Sequence, residues 1–481
     1  MSLSGALSNA VSGLAVQAKS ASLVSSNISN ALTEGYGRRQ LNVASDSVST
    51  HGGVRVLGVV RHADAVLIAD KRLADGHSAG ATLLSQHADR METLIGGALD
   101  GDSLTGRLDS LEASLISASS DPSSTQRLRN IAQAAQSLAG KLNGISDGVQ
   151  ASRRSAETSI TDQVQQLNTS LARISDINVR ISRSVHAGAD VSTLEDQRQI
   201  EIDRVAQIIP LRAIPRDKNT VALYSMGGTL LLDGKPPEFE FQRSNEIAPH
   251  MTLGNGLLSD LTIDGRSLNA GPDGMIAGGT LSALFEIRDI VAPDLQTKLD
   301  GVAFDLGSRL GPGGPDATLV TGDSGVFTDL GFPIEPVNEI GLAGRITLNL
   351  DLDPSGSSLW RLRDGLGSVA PGNPGDASLI NGWRNALVDP VSTSSSSLRP
   401  EPVAISTHFA ELSSYVTDQR IDAEQTNQYL SDRLLAAEER YLSDSVDTDT
   451  ELQDLIKIEQ NYAANAQVIR VVDDLMQLLF R

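Results

Sequence analysis

Apolar residues recur every seven positions near both ends of the chain. Over residues 3–31 two such rows run side by side, and Gln17 is their one polar member. Two further rows end the chain, with Asn465 as the polar exception. Sustained heptads of this kind predict coiled-coil helices, and a polar Asn within the seam predicts control of helix register. The seam positions that we take as candidate assembly contacts are Leu3, Leu7, Leu14, Ile28, Leu455, Ile458, Tyr462, Asn465, Ile469, Val472, Met476 and Leu479.

The pattern between the two ends changes several times. Alternating residues around Gly52 and Gly53 predict a β-hairpin. Residues 211–278 again alternate with period two and are rich in Gly and Pro, which predicts a small β domain. Helical periodicity fills most of the remainder, and residues 311–400 read as irregular or weakly β. The helices are predicted over about 63–96, 103–118, 122–186, 190–209, 278–310 and from Pro402 to the end.

These patterns predict a fold that is mainly α with inserted β. The terminal heptad helices would pair into a coiled-coil rod, next to a long helical bundle and small β-rich insertions. The predicted domains are a terminal coiled coil (1–40 plus 450–481), a helical rod domain with a hairpin (41–210 plus 278–310 plus 400–449), a small β domain (211–277) and an irregular or β-containing segment (311–399).

Composition and charge exclude several classes of partner and site. The formal net charge is 39 − 60 = −21, which argues against nucleic acid and anionic membrane surfaces as partners. The sequence holds no cysteine and no apolar run long enough to span a bilayer. The first basic residue is Lys19, so the charged start of a secretory signal peptide is missing. We therefore expect any export to use a route without a cleaved signal, and no insertion into a membrane.

Candidate chemistry is sparse. The seven histidines show no metal-binding spacing. Asn349, Asp351 and Asp353 match the first positions of a calcium loop, but Pro354 replaces the required glycine and Trp360 the final glutamate. The acidic run 444–451 either binds a cation or, as we favour, is a solvated flank of a helix. We expect no catalytic, cofactor-binding or metal-binding residue.

Each terminal helix, taken alone, is expected to be only marginally stable in water. Burial of a single apolar seam does not offset the entropy lost when about thirty residues are ordered. We therefore expect residues 1–33 and about 450–481 to be disordered in the free monomer and to fold on assembly.

The stretch "SNISNALTEGYGRRQ", residues 26–40, resembles a motif of the bacterial flagellar axial proteins (rod, hook and hook-associated proteins). In that family an Asn-rich helix end precedes Asn-x-x-Thr-Pro-Gly-Tyr. Glu34 here replaces the usual proline. The C-terminal helix is similar to the family's closing helix, with its Gln-x-Tyr-x-x-Asn-Ala pattern. The residues that carry these two matches are Asn30, Thr33, Gly35, Tyr36, Gln460, Tyr462, Asn465 and Ala466.

The middle of the chain is similar to a hook-associated member of that family, through Leu194, Asp196, Gln197 and Arg198. This resemblance implies a non-enzymatic subunit that is exported unfolded through the flagellar type III apparatus. It also implies a ring of identical copies at the hook–filament junction. Hook protein would lie on one side, a second junction protein or the filament on the other, and an export chaperone would hold the C-terminal helix beforehand. Tyr36 would mark where the inner helix turns outward.

Two alternatives stay open from sequence. The chain could be another axial subunit, such as a hook, rod or flagellin-like protein. More remotely, it could be a hydrolase with coiled-coil ends, housed in residues 211–400.

Overall fold

The computed structural model describes residues 3–45, 52–97 and 100–479, and helices dominate them. The predicted fold class, mainly α with inserted β, is confirmed. The helices are α1 (Leu3–Asn30), α2 (Ala65–Ile95), α3 (Leu104–Ser119), α4 (Thr125–His186), α5 (Ser192–Ile208), α6 (Thr280–Glu286), α7 (Ala292–Arg309), α8 (Arg361–Asp364), α9 (Ser378–Val388), α10 (Ile405–Ser443) and α11 (Thr448–Leu479). The strands are β1 (Arg38–Ser45), β2 (Val54–His62), β3 (Leu211–Pro215), β4 (Val221–Ser225), β5 (Leu230–Leu232), β6 (Phe239–Glu240), β7 (Leu261–Ile263), β8 (Arg266–Leu268), β9 (Phe327–Asp329) and β10 (Ile346–Leu348).

The 62-residue helix α4 is the spine of the molecule. Ser124 caps its first turn, where the side chain accepts a hydrogen bond from the Arg127 amide. Its N-terminal half belongs to an apolar core shared with α3, α7, α9 and α10. Its C-terminal half belongs to a second core shared with α5, α6 and the small sheets. One long helix therefore contributes to both cores and holds them in line.

The β material forms small antiparallel sheets. Strands β3, β4 and β5 form one three-stranded sheet, and β6, β7 and β8 form another. Asn178 of α4 donates from Nδ2 to the Val221 carbonyl at 2.9 Å and so fastens the first sheet to the spine. The hairpin of β1 and β2 pairs Arg38 with His62, and part of its connection, residues 46–51, lies outside the described residues.

Residues 311–399 are mostly irregular, with the short pair β9 and β10 and helices α8 and α9. Trp383 of α9 is fully buried, and its Nε1 donates to the Leu362 carbonyl at 3.1 Å. Its neighbours belong to the same apolar core as α3 and α7. The segment is therefore packed on the helical rod and shares its core.

The C-terminal helical stretch is interrupted, which the sequence pattern did not predict. Helix α10 ends at Ser443 and α11 begins at Thr448. Asp447 caps the new helix, because its Oδ1 accepts from the Asp449 amide at 3.0 Å and its Oδ2 from the Thr450 hydroxyl at 2.8 Å. The break lets α11 leave the rod and meet α1.

Candidate functional site: the paired terminal helices and their polar junction

Helices α1 and α11 pack against each other in antiparallel register. Asn27 contacts Glu451 through a hydrogen bond, and Gly13 faces Asn465. The two contacts are 27 − 13 = 14 residues apart on α1 and 465 − 451 = 14 residues apart on α11, so the register between the two helices is the same at both contacts. A Cβ on Gly13 would stand 2.9 Å from the Asn465 side-chain nitrogen. The two backbones therefore approach closely because residue 13 has no side chain.

The pairing bears on the expectation of disordered ends. Within one chain each terminal helix has the other as its partner. Ala10, Val16 and Val24 are the apolar residues that α1 buries, and Val472 is buried on α11. Disorder of both ends in the free monomer stays a prediction, which hydrogen exchange on dilute monomer tests.

The predicted seam residues divide between the intramolecular contact and solvent. Leu3, Leu14, Ile28, Leu455, Ile458, Asn465 and Ile469 are half-buried. Leu7, Tyr462 and Met476 remain 41%, 48% and 40% exposed. The side chain of Leu479 lies outside the described residues. The paired helices thus leave part of the predicted seam free for further contacts.

A buried carboxylate marks the base of the helix pair. Glu451 is 1% exposed, and its Oε1 accepts from Nε of Arg38 at 2.6 Å. Its Oε2 accepts from Nδ2 of Asn27 at 3.0 Å. Asp454 lies 3.5 Å from the same Arg38 guanidinium. The acidic run 444–451 is therefore neither a cation site nor a purely solvated flank: Asp447 caps a helix and Glu451 is an ion-pair partner.

Asn27 closes the turn that follows α1. Its Oδ1 accepts from the Tyr36 hydroxyl at 2.9 Å and from the Arg39 amide at 3.0 Å, while its Nδ2 also donates to the Arg39 carbonyl at 2.9 Å. The Arg39 guanidinium stacks over the Tyr36 ring at 4.8 Å. Gly35 takes a left-handed φ of 74°, which a side chain would resist. Asn27 thus holds the chain as it turns from α1 into β1.

Asp196 of α5 links this turn to the rod. Its Oδ1 accepts from the Gly37 amide at 3.1 Å and from Nε of Arg61 at 2.7 Å. Its Oδ2 accepts from Nη2 of Arg39 at 2.8 Å. Two guanidinium groups and one amide therefore converge on a single carboxylate. We call Asn27, Tyr36, Arg38, Arg39, Arg61, Asp196 and Glu451 the polar junction.

Arg198, two residues further along α5, points to the other side. It is buried, and its Nη1 donates to Oδ1 of Asn178 at 3.1 Å and to the Asn219 carbonyl at 2.6 Å. Burial lowers the pKa of this guanidinium, and Glu195 opposes that effect. The Asp-Gln-Arg segment therefore binds the terminal turn on one face and the first β-sheet on the other.

Sequence reasoning picked out Tyr36 but missed most of the polar junction. Arg38 and Arg39 stood in the quoted motif, and Asp196 stood in the Asp-Gln-Arg segment. No local pattern joins them, because Glu451 lies 424 residues from Asn27. The available signal was an asparagine at a helix end followed by two adjacent arginines, Arg38 and Arg39.

The calcium-like loop does not form a site. Asn349 donates to the Gly325 carbonyl, Asp351 pairs with Arg361 at 2.7 Å, and Asp353 accepts from the Ser355 amide. Oδ1 of Asn349 accepts from the Asp351 amide at 3.0 Å, so an oxygen of each of the three residues has a partner of its own. Among the described residues no group of three or more His, Cys, Asp or Glu side chains is arranged to hold a metal ion.

An apolar stripe on α11 is exposed beside the contact with α1. Val468, Val471, Leu475 and Leu478 follow one another at spacings of three, four and three residues, and they are 43%, 48%, 44% and 66% exposed. On a helix this spacing places them on one side, about a quarter of a turn around the helix from Asn465 and Val472. We call these four residues the outer stripe.

The exposed side of α1 has little charge. Its exposed positions carry Ser, Ala, Leu and Val side chains, with Lys19 as the one charged residue of the helix. Leu7 and Val11 are 41% and 52% exposed there. A helix that remains in water normally carries more charge on its outer face. Within the described residues, no helix is both long and apolar enough to cross a membrane.

Comparison with known proteins gives two family matches. Residues 88–310 match the helical domain of flagellar hook-associated protein FlgK, and residues 442–481 match the C-terminal region of flagellar basal body rod FlgEFG proteins. The two matches cover most of the rod helices and the whole of α11.

Several curated relatives share one description, flagellar hook-associated protein 1. The Bacillus subtilis protein is 22% identical over 98% of this chain and 96% of its own length. The Salmonella typhimurium protein is 29% identical over 48% of this chain, and the Escherichia coli protein 26% over 48%. The match spans only 43% and 44% of the length of these last two proteins. A solved structure, the flagellar hook junction protein FlgK from Burkholderia pseudomallei, is 16% identical to this chain. The match covers 54% of this chain and 46% of the Burkholderia chain, with a TM-score of 0.45.

Proposed function

We propose that this chain is a member of the family of flagellar hook-associated protein 1, and that it is a structural subunit of the bacterial flagellum that joins hook to filament. The subunit has no enzymatic activity. It works outside the cell, as one of a ring of identical copies. Hook protein contacts the ring on one side, and a second junction protein or the filament contacts it on the other.

The observation that carries this proposal is the outer stripe. Four large apolar side chains in a row on the free side of a helix are costly in water, and such patches mark interaction sites. The outer face of α1, with Lys19 as its one charged residue, lies on the partner helix of the same pair. Because the two surfaces differ, contact between them on neighbouring copies is head-to-tail, and such contacts form a ring when the rotation between copies closes.

The same stripe supports the proposed chaperone. Before assembly the outer stripe has no partner within the described residues, so it exposes apolar surface on a helix at the end of the chain. An amphipathic helix with such a stripe suits a groove of apolar residues on another protein. We propose that an export chaperone covers the outer stripe, and that export proceeds without a cleaved signal peptide.

Charge on the outer stripe tests the proposal. We expect Val471→Glu with Leu475→Glu to leave the purified protein monomeric and helical, and to abolish its incorporation into flagella. The readout is the amount of protein in sheared flagella, with motility, in a strain that lacks its own copy. Val369→Glu is the matched control, because Val369 is 99% exposed in the irregular segment. Normal incorporation of the double variant would contradict the proposal.

Truncation tests the role of the ends as a whole. Deletion of residues 1–33, or of residues 455–481, is expected to leave a soluble middle that no longer attaches a filament. Either truncated chain that still supports filament attachment would refute the assignment of assembly to the ends.

Asn465 is proposed as a register residue. It faces Gly13 at the closest approach of the two helices. We expect Asn465→Leu to preserve helix content while it disturbs the packing register and lowers junction assembly. Unchanged assembly would argue against that role.

The alternatives are weaker. Another axial subunit would form a long tube and not a short ring, so position and copy number in isolated flagella separate the two. For a hydrolase, the region 211–400 offers an open cavity of about 420 Å³ whose acids are already engaged. Asp316 accepts from the Leu366 amide and the Thr318 hydroxyl, and Asp364 pairs with Arg363.

A further inference from the structure

A cavity lies in the rod domain between α2, the α6–α7 stretch and α10. Its volume is about 290 Å³. Most of its wall is apolar, contributed by Leu84, Met91, Leu295 and Val416 among others. Such a volume with apolar walls and a few polar groups is typical of a site for a small organic molecule.

Polar contacts on both sides fix the cavity open. Glu92 of α2 forms an ion pair with Arg420 of α10, with 2.8 Å between its Oε2 and Nε, and Thr82 of α2 donates to Asn427 of α10 at 2.9 Å. The cavity lies between these contacts, against residues 81–91 and 415–426. The two helices are therefore held together above and below the space, and the cavity exists before any ligand arrives.

His87 places an unsatisfied nitrogen at this cavity. The residue is 1% exposed, and its Nδ1 lies 2.8 Å from the Ser152 hydroxyl of α4. Its Nε2 is buried and has no hydrogen-bond partner among the described residues. The ring lines the cavity on the side of α2. Burial, with a smaller effect from Arg90, lowers the pKa of His87 to about 4, so the ring is neutral.

The remaining charged groups at the cavity are all acidic. Glu286 and Asp422 line it, and no lysine or arginine does. Neither carboxylate forms an ion pair within the described part of the chain. Burial, and then repulsion from Asp273, raises the pKa of Glu286. The nearby cation Arg420 is already engaged by Glu92 and Glu424.

We propose that this cavity binds a small primary amine with an apolar body. The ammonium group pairs with Glu286 and Asp422, and the apolar body packs against Leu84 and Leu295. The charged groups that line the cavity are carboxylates, which accept hydrogen bonds and suit a donor cation. An anion of the same shape would meet only like charge.

Calorimetric titration of the full chain at pH 8 tests the proposal. Phenethylamine is the probe, and phenylacetate and ethylbenzene are the anionic and neutral comparisons of similar shape. We expect saturable binding of the amine and at least about tenfold weaker binding of the other two, as expected for loss of a charge-assisted hydrogen bond. Equal binding of amine and anion, or no binding of the amine, would overturn the proposal.

Variants localise the site. Glu286→Gln is expected to weaken amine binding about tenfold or more. Ala423→Phe should abolish it, because the new ring fills the mouth of the cavity. Asp432→Asn is the matched control, since it removes one exposed acid from α10 away from the cavity. If Glu286→Gln binds phenethylamine as tightly as the control does, the amine binds elsewhere and the assignment is wrong.

Discussion

Removal of the charge on Glu451 should loosen the terminal helices without unfolding the rod. Glu451→Gln preserves the shape of the side chain. It replaces one acceptor oxygen by an NH₂ group, so one of the two donors, Arg38 Nε or Asn27 Nδ2, then faces another donor. The change therefore removes one charge-assisted contact and leaves one buried donor unsatisfied.

The size of the effect follows from the burial of the two partners. Truncating one partner of a fully buried ion pair costs about 3–5 kcal/mol. Here Glu451 is 1% exposed but the Arg38 side chain is 29% exposed, so water can solvate part of the guanidinium. Asp454, 3.5 Å away, can also take over part of the pairing. We therefore expect a loss of about 2 kcal/mol in the local stability of the helix pair.

Amide hydrogen exchange measures this loss directly. A decrease of about 2 kcal/mol corresponds to exchange that is about 30-fold faster in the first turns of α11 and the last turns of α1. Amides in the middle of α4 should exchange as in the unmodified protein, because their core does not touch the polar junction. Glu459→Gln is the control, since that side chain is exposed two turns further along the same helix.

Two results would refute the reasoning. If Glu451→Gln exchanges at the rate of the control variant, the buried ion pair does not hold the helices. If the amides of α1 and α11 are already unprotected in the unmodified monomer, the helices are not paired before assembly.

Three further predictions concern other parts of the chain. Gly13→Val should destabilise the helix pair by about 1–3 kcal/mol, because the valine side chain would collide with Asn465. Gly140→Ala on α4 should instead stabilise the protein slightly, because a Cβ at that position meets open space. Circular dichroism melts distinguish the two variants. His87→Asn should weaken the dependence of the free energy of unfolding on pH below pH 6.5. Burial lowers the pKa of His87 from an ordinary 6.5 to about 4, so the unmodified protein loses on the order of 3 kcal/mol of stability as pH falls from 6.5 to 4. Denaturant titrations that give the same pH dependence for both proteins would contradict this. Trp383→Ala should cost about 3–5 kcal/mol in the rod, measured by urea unfolding, and a cost below about 1 kcal/mol would show that residues 311–399 are not part of the core.

The heptad pattern predicted the terminal helices but not what each of their faces contacts. A heptad row tells which residues share a helix face, and so α1 and α11 could be predicted. It does not tell what that face contacts, which is why Leu7 and Met476 stay exposed while Val472 is buried. The outer stripe lies on the side of α11 that the seam pattern leaves out, because a search for one seam assigns one face to each helix.

The polar junction could not be predicted from local sequence patterns, for a different reason. Glu451 stood in an acidic run, and nothing in that run distinguishes a buried acid from a solvated one. Its partner Arg38 is 413 residues away, and only the antiparallel pairing of the end helices brings the two together. Residues 311–399 were also hard to predict, since their order comes from burial of Trp383 and Phe327 on the rod and not from repeated local structure.

The helix pair is joined to the rod by two stretches of chain, residues 31–37 and residues 444–447. A single tether would let the pair rotate about the bond that carries it. Two tethers, bridged by the ion pair of Arg38 and Glu451 at their ends, oppose that rotation. We therefore expect a twist applied to the helix pair to be passed to the rod.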